Sequence, residues 1–131
     1  MRDIPIGTRG VYSLLVTADH LANRFKDVSL PPVFATPMLV MLMENAALNA
    51  IKPYLEENES CVGTRVDIRH LAATPAGLTV TAVAELTAVS GRKLTFRIEA
   101  SDGIDRIGTA IHERAVVDRA RMAATLRRKS G

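Results

Sequence analysis

Two ionisable side chains stand where the residue pattern otherwise places hydrocarbon. Glu44 follows an apolar run, Met38 to Met43, and shares with Met41, Leu48 and Ile51 a stripe at helical spacings of three and four. His70 alternates in phase with Val62, Thr64, Val66, Ile68 and Ala72, while Gly63, Arg65, Asp67 and Arg69 take the opposite face. A carboxylate or an imidazole on a core-facing surface is costly unless it is paired or used. Facing one another, Glu44 would hold His70 in one tautomer, and the two would act as a general base towards water. A buried Glu–His pair with a purely structural purpose is the competing reading. Thr36 precedes Pro37 and reads as a helix N-cap, since its hydroxyl can accept an orphan N–H and proline needs no donor at the first helical position. Such a cap alone contributes about 1 kcal/mol. The N–H groups at that helix end could also serve a carbonyl oxygen gaining negative charge. Gly63 marks either close approach by a ligand or a simple bend.

The elements that must position these groups follow from periodicity. Residues 7–18 mix β-branched and apolar side chains and predict a first strand; a short helical stretch is possible around residues 20–25. Pro31 and Pro32 hold the chain extended before a central helix over about residues 37–52, which Pro53 ends. Met38 to Met43 is apolar on every face, which predicts a helix wrapped by protein. From Cys61 the period changes to two. Leu78, Val80, Ala82, Ala84 and Leu86 mark the inner face of the third strand; Leu94, Phe96, Ile98 and Ala100 mark that of the fourth. Residues 74–77, 90–93 and 102–103 are turns. A fifth strand over 107–117 alternates less cleanly, because Glu113 falls in phase with Ile107 and Ile111, and this predicts a bulge. Its His112, Glu113 and Arg114 read as a surface or interface ion-pair cluster. One strand, one buried helix and four strands in meander predict an α+β hotdog fold, a curved antiparallel sheet of about five strands wrapped round one long helix. Residues 1–118 form that single domain, and 119–131 a basic C-terminal tail with the composition of a weak helix.

Composition narrows the functions. A hydrophobic share of 47% suits a globular core, and a net charge of +3 favours anionic ligands without the dense basic and aromatic clustering of a nucleic-acid binder. The lone Cys61 cannot form an internal disulfide, which fits a reducing cytoplasm, and a buried or idle thiol is favoured over a nucleophile. No secretory signal pattern stands at the N-terminus, and no apolar run is long enough to span a bilayer. Motifs for metal proteases, paired CxxC sites, phosphate-binding glycine loops and nucleophile elbows are absent from the sequence, so no metal or other cofactor is expected.

At these same residues the sequence resembles a known family. V-F-A-T-P, a glutamate eight residues after that threonine, V-G-T-R-V-D-I-R-H-L-A-A-T-P-A-G and a late H-E-R are similar to the fluoroacetyl-CoA thioesterase-like family of hotdog proteins, over about residues 33–118. The resemblance implies hydrolysis of an acyl-CoA thioester to the free acid and CoA. It also implies catalytic roles for Thr36, Glu44 and His70, and places Gly63 near the acyl group. Ala110, where a glycine is expected before H-E-R, and Asn45, after the glutamate, depart from the pattern without touching those positions. Arg119 and Arg121 could then meet the phosphates of CoA. A non-catalytic acyl-CoA-binding or sensing hotdog domain is the alternative, and a hotdog hydratase or dehydratase a further one.

Helix geometry adds a last expectation. Eight residues separate Thr36 from Glu44 by roughly 12 Å along a helix axis, too far for both to meet one thioester carbonyl. In a two-fold homodimer with antiparallel helices side by side, Thr36 of one chain approaches Glu44 of the other. A homodimer with shared sites is therefore expected.

Overall fold

The period-two half of the chain becomes four long strands. In a computed structural model, which describes residues 1–131, β1 (Arg9–Leu15), β2 (Glu59–His70), β3 (Thr79–Ser90), β4 (Lys93–Ser101) and β5 (Arg106–Asp118) form one antiparallel sheet in the order β1-β3-β4-β5-β2. Three helices accompany it: α1 (Ala22–Phe25), α2 (Thr36–Ile51) and α3 (Arg119–Ser130). α2 packs against all five strands, so the sheet curls round it in the expected hotdog arrangement. Val80, Ala82, Ala84 and Leu86 of β3 and Leu94, Phe96, Ile98 and Ala100 of β4 are all buried, as their alternation predicts. They meet Leu39, Leu42, Met43, Ala46, Ala47, Ala50 and Ile51 of α2 in one core. Gly10 makes the closest crossing, since a Cβ there would run into the backbone of Ala46 and Ala50.

Four expectations change. Thr36 is the first residue of α2 rather than its N-cap; Ala35 takes the cap position with extended backbone and no side-chain hydrogen bond. The helix starts on backbone alone, because the Ala35 carbonyl accepts the N–H groups of both Met38 and Leu39. α2 is not wrapped all round: Val40, Met41, Glu44 and Leu48 are only half-buried, so one stripe of the helix is left open. In β2 the ladder to β5 shifts between Gly63 and Arg65, inserting Thr64 as an unpaired residue. One extra residue reverses the facing of everything before it. Val62 and Thr64 are therefore exposed, and Glu59, Cys61 and Gly63 join Val66, Ile68 and His70 on the inner side.

The bulge in β5 falls at its start, where Ser101 pairs with Arg106 and Ala100 with Gly108. Beyond it Ala110, His112, Arg114 and Val116 point inward and are buried, while Ile111 is exposed. Glu113 alone keeps the expected outward ion-pair role, with Lys93 at 2.8 Å and Arg65 at 3.7 Å. The alternation was there to be read, but Ile107, the bulged residue, gave it the wrong phase. The tail from residue 119 is helical, capped by the Asp118 side chain on the Arg121 N–H at 3.0 Å.

Candidate active site

The first polar cluster lies where α2 begins. The Phe34 N–H donates to the Thr74 carbonyl and the Ala35 N–H to the His20 carbonyl, which pins the chain leading into the helix. With no capping duty, the Thr36 hydroxyl turns to the end of β2 and lies 2.8 Å from Nδ1 of His70. His70 is half-buried, and its Nε2 is buried without a hydrogen-bond partner. Burial lowers the His70 pKa below the ordinary histidine value, opposed by the Ala72 backbone. The ring is therefore neutral near pH 7 and able to take a proton. Beside it opens a groove of about 420 Å³ lined by Leu30, Val33, Phe34, Leu71 and Ala72, with Lys26 as its cation.

The second cluster lies two turns further along α2. The Glu44 side chain is 39% exposed, and its Oε2 is 3.5 Å from Nη1 of the buried Arg114. Arg114 donates from Nε to Sγ of Cys61 at 3.1 Å and from Nη2 to the Cys61 carbonyl at 2.9 Å. Its Nη1 is also 3.2 Å from Nε2 of His112. Gly63 is what allows this crowding: a Cβ there would stand 2.5 Å from Glu44 Oε2 and 3.3 Å from His112 Cε1. Burial pushes the Cys61 thiol above its usual pKa, although the Arg114 guanidinium works the other way. The thiol is a hydrogen-bond acceptor here, in line with the expected idle cysteine.

Within one chain, then, His70 does not face Glu44. The structure brings Thr36 to His70 and, separately, Glu44 to Gly63. Arg119 and Arg121 lie exposed on α3, and Arg121 borders a different groove, of about 460 Å³, between that helix and β5. His112 and Arg114 are the inward-facing residues that sequence reasoning assigned to the surface. Their spacing of two on one strand face was the available signal, hidden by the β5 bulge. No three His, Cys, Asp or Glu side chains gather as metal ligands would.

A hydroxyl in contact with a neutral imidazole, at a helix N-terminus and beside a groove, suits attack on an acyl carbonyl. The sheet curled round its one long helix defines a hotdog-fold protein, with this contact as its candidate site for acyl transfer. Comparison with known proteins carries the assignment further: residues 16–120 match the family described as fluoroacetyl-CoA-specific thioesterase, and the chain belongs to that family. It is 50% identical over 130 residues to the fluoroacetyl-CoA thioesterase of Streptantibioticus cattleyicolor, covering 95% of this chain and 94% of the relative. A solved structure of the fluoroacetyl-CoA thioesterase FlK superposes with a TM-score of 0.92 at 40% identity, covering 97% of this chain and 98% of the other. A thioesterase superfamily member from Thermus thermophilus superposes with a TM-score of 0.93 at 35% identity, covering 99% and 96%.

Proposed function

We propose that the protein is an acyl-CoA thioesterase that hydrolyses a small acyl-CoA to the free acid and CoA, working as a homodimer with shared sites. The observation that carries the reading is the 2.8 Å contact between Thr36 and His70 at the start of α2. In this reading the attacking oxygen, that of Thr36 or of a water held by it, gives its proton to His70 as it bonds to the thioester carbon. The carbonyl oxygen gains charge near the Thr36 N–H, the one first-turn N–H of α2 left free, since Pro37 carries none and those of Met38 and Leu39 donate to the Ala35 carbonyl. As the C–S bond breaks, His70 returns the proton to the departing CoA thiolate. If Thr36 attacked first, a water repeats the sequence on the acyl-threonine. Glu44 supplies the carboxylate that orients the imidazole or the water, and Gly63 leaves room for the acyl group.

The separation of the two clusters supports the shared site. Thr36 and Glu44 remain on one unbroken α2, so roughly 12 Å of helix lies between them. β2 ends the sheet with β5 as its only neighbour, which leaves an edge free to pair with a second copy. The open stripe of α2, with Val40, Met41, Glu44 and Leu48 half-buried, offers the second copy an apolar face. Two-fold pairing along β2 lays the two α2 helices antiparallel and carries Thr36 and His70 of one protomer towards Glu44 of its partner. A free buried cysteine suits the reducing cytoplasm as the site of action.

Two measurements test this. A free-thiol assay with short, branched and aromatic acyl-CoAs should show turnover, and silence across the panel with CoA ligands still bound would point to a binding domain instead. Thr36→Val and Glu44→Gln, each nearly inactive, are then unfolded and refolded together. Random assembly makes half of the dimers mixed, each with one intact site of two, so roughly a quarter of wild-type activity returns. A mixture as inactive as its parents would place both residues in a site confined to one chain.

A further inference from the structure

His112 is a fully buried ionisable side chain that the hydrolysis above leaves without a task. Its two ring nitrogens meet partners that each have one role only. Nδ1 lies 2.7 Å from the Arg65 carbonyl, which can only accept; Nε2 lies 3.2 Å from Arg114 Nη1, which can only donate. The proton must therefore sit on Nδ1 and the lone pair on Nε2. A second proton would set Nε2–H against Nη1–H, so the ring works as a neutral acceptor. Burial, acting first, keeps its pKa below the usual value.

The β2 bulge makes this possible. In a regular ladder a strand carbonyl lies in the sheet plane and bonds across it. The register shift between Gly63 and Arg65 lets the Arg65 carbonyl meet a ring on the inner face. The consequence falls on Arg114. With Nε and Nη2 tied to Cys61 and Nη1 drawn to His112, the guanidinium plane is held at three points. In that orientation Nη1 also stands 3.5 Å from Glu44 Oε2.

We propose that His112 is a positioning residue: the Arg65 carbonyl, next to the bulge at Thr64, sets its tautomer, its Nε2 aims Arg114, and Arg114 places the Glu44 carboxylate in the site. This rests on the thioesterase reading, in which Glu44 acts on the substrate's side of the cluster.

The test is a cycle of substitutions read in kcat and KM for the best acyl-CoA of the panel. His112→Phe keeps a ring beside Phe96, whose centroid is 6.2 Å away, but removes the acceptor. It should lower kcat about 10- to 100-fold with KM changed by less than about threefold, as expected for a misplaced catalytic group. His112→Gln, whose amide oxygen can reach the Nε2 position, should recover most of the loss. In an Arg114→Met background, adding His112→Phe should change kcat by less than about twofold, because non-additivity marks residues that act as one unit. Thermal melts confirm folding, and His112→Leu replaces His112→Phe in the cycle if the latter does not fold. Nitrogen-15 NMR of histidine-labelled protein should show Nδ1 protonated and Nε2 bare for the buried ring.

Additive effects of His112→Phe and Arg114→Met, no recovery with Gln, or an Nε2-protonated ring would each overturn this role while leaving an active thioesterase. A wild-type chain that hydrolyses nothing in the panel would instead overturn the thioesterase reading, and this role with it.

Discussion

Gly63→Ala separates a site residue from a packing residue by one carbon atom. The added Cβ would stand 2.5 Å from Glu44 Oε2, where ordinary contact begins at 3.4 Å, so the carboxylate must withdraw by about 0.9 Å. His112 Cε1, at 3.3 Å, needs to give by only about 0.1 Å. The displaced oxygen is the free end of a half-exposed side chain, so stability should fall by about 1 kcal/mol or less. For a chain of this length that is a shift in Tm of about 4 °C or less. The site has no such freedom: a misplacement of about 1 Å can cost on the order of 100-fold in rate. Release of free thiol from a small acyl-CoA should therefore drop by one to two orders of magnitude in a protein that melts almost as the wild type does. The control is Gly10→Ala, whose Cβ meets the Ala46 and Ala50 backbone and has nothing flexible to move. That substitution should cost several kcal/mol and unfold the chain early on heating. A folded Gly63→Ala enzyme with kcat within about twofold of wild type would refute the reasoning, because Glu44 could then move by most of an ångström without consequence.

Further predictions concern the imidazoles. His70→Ala should lower turnover by about two to four orders of magnitude, the usual range for a lost general base, with the fold intact by circular dichroism. Wild-type turnover in a folded His70→Ala protein would make the residue structural. Both His70 and His112 have pKa values lowered mainly by burial, so the unfolded chain takes up their protons near pH 6.5 while the folded chain does so only at lower pH. Their contribution to stability is full above about pH 6.5 and is lost as pH falls from there through the folded values. Urea titrations should show stability falling from pH 7 to pH 5, and a flat profile would contradict the burial of both rings. At lower pH a second loss follows from Glu59, whose carboxyl the N-terminal amine, the Glu56 N–H and Arg92 hold down to about 2 against an ordinary 4.5. It runs from about pH 4.5 down towards pH 2, and blocking the N-terminal amine by acetylation should weaken it.

Much of the fold was legible because two periods, 3.6 and 2, are written in apolar residues that have only one core to share. The inner faces of β3 and β4 follow residue by residue from alternation, and α2 follows from an apolar run closed by Pro53. The three residues proposed to do chemistry were also legible as types at spacings: a threonine before proline at a helix start, a glutamate on a helical stripe, and a histidine in phase with valine and isoleucine. Tertiary structure decided which of them meet. Alternation carries no information about where a strand gains a residue, and one bulge at Thr64 turned Gly63 and Cys61 inward, while another at Ile107 did the same for His112 and Arg114. Helix signals likewise mark an N-terminus without saying whether a hydroxyl will cap it, and the backbone of Ala35 left Thr36 free for His70. Local sequence sets what each element prefers. Contact between elements distant in sequence, such as residue 36 with 70 and 44 with 114, depends on how the curled sheet lays its strands along one helix, and no local preference encodes that distance.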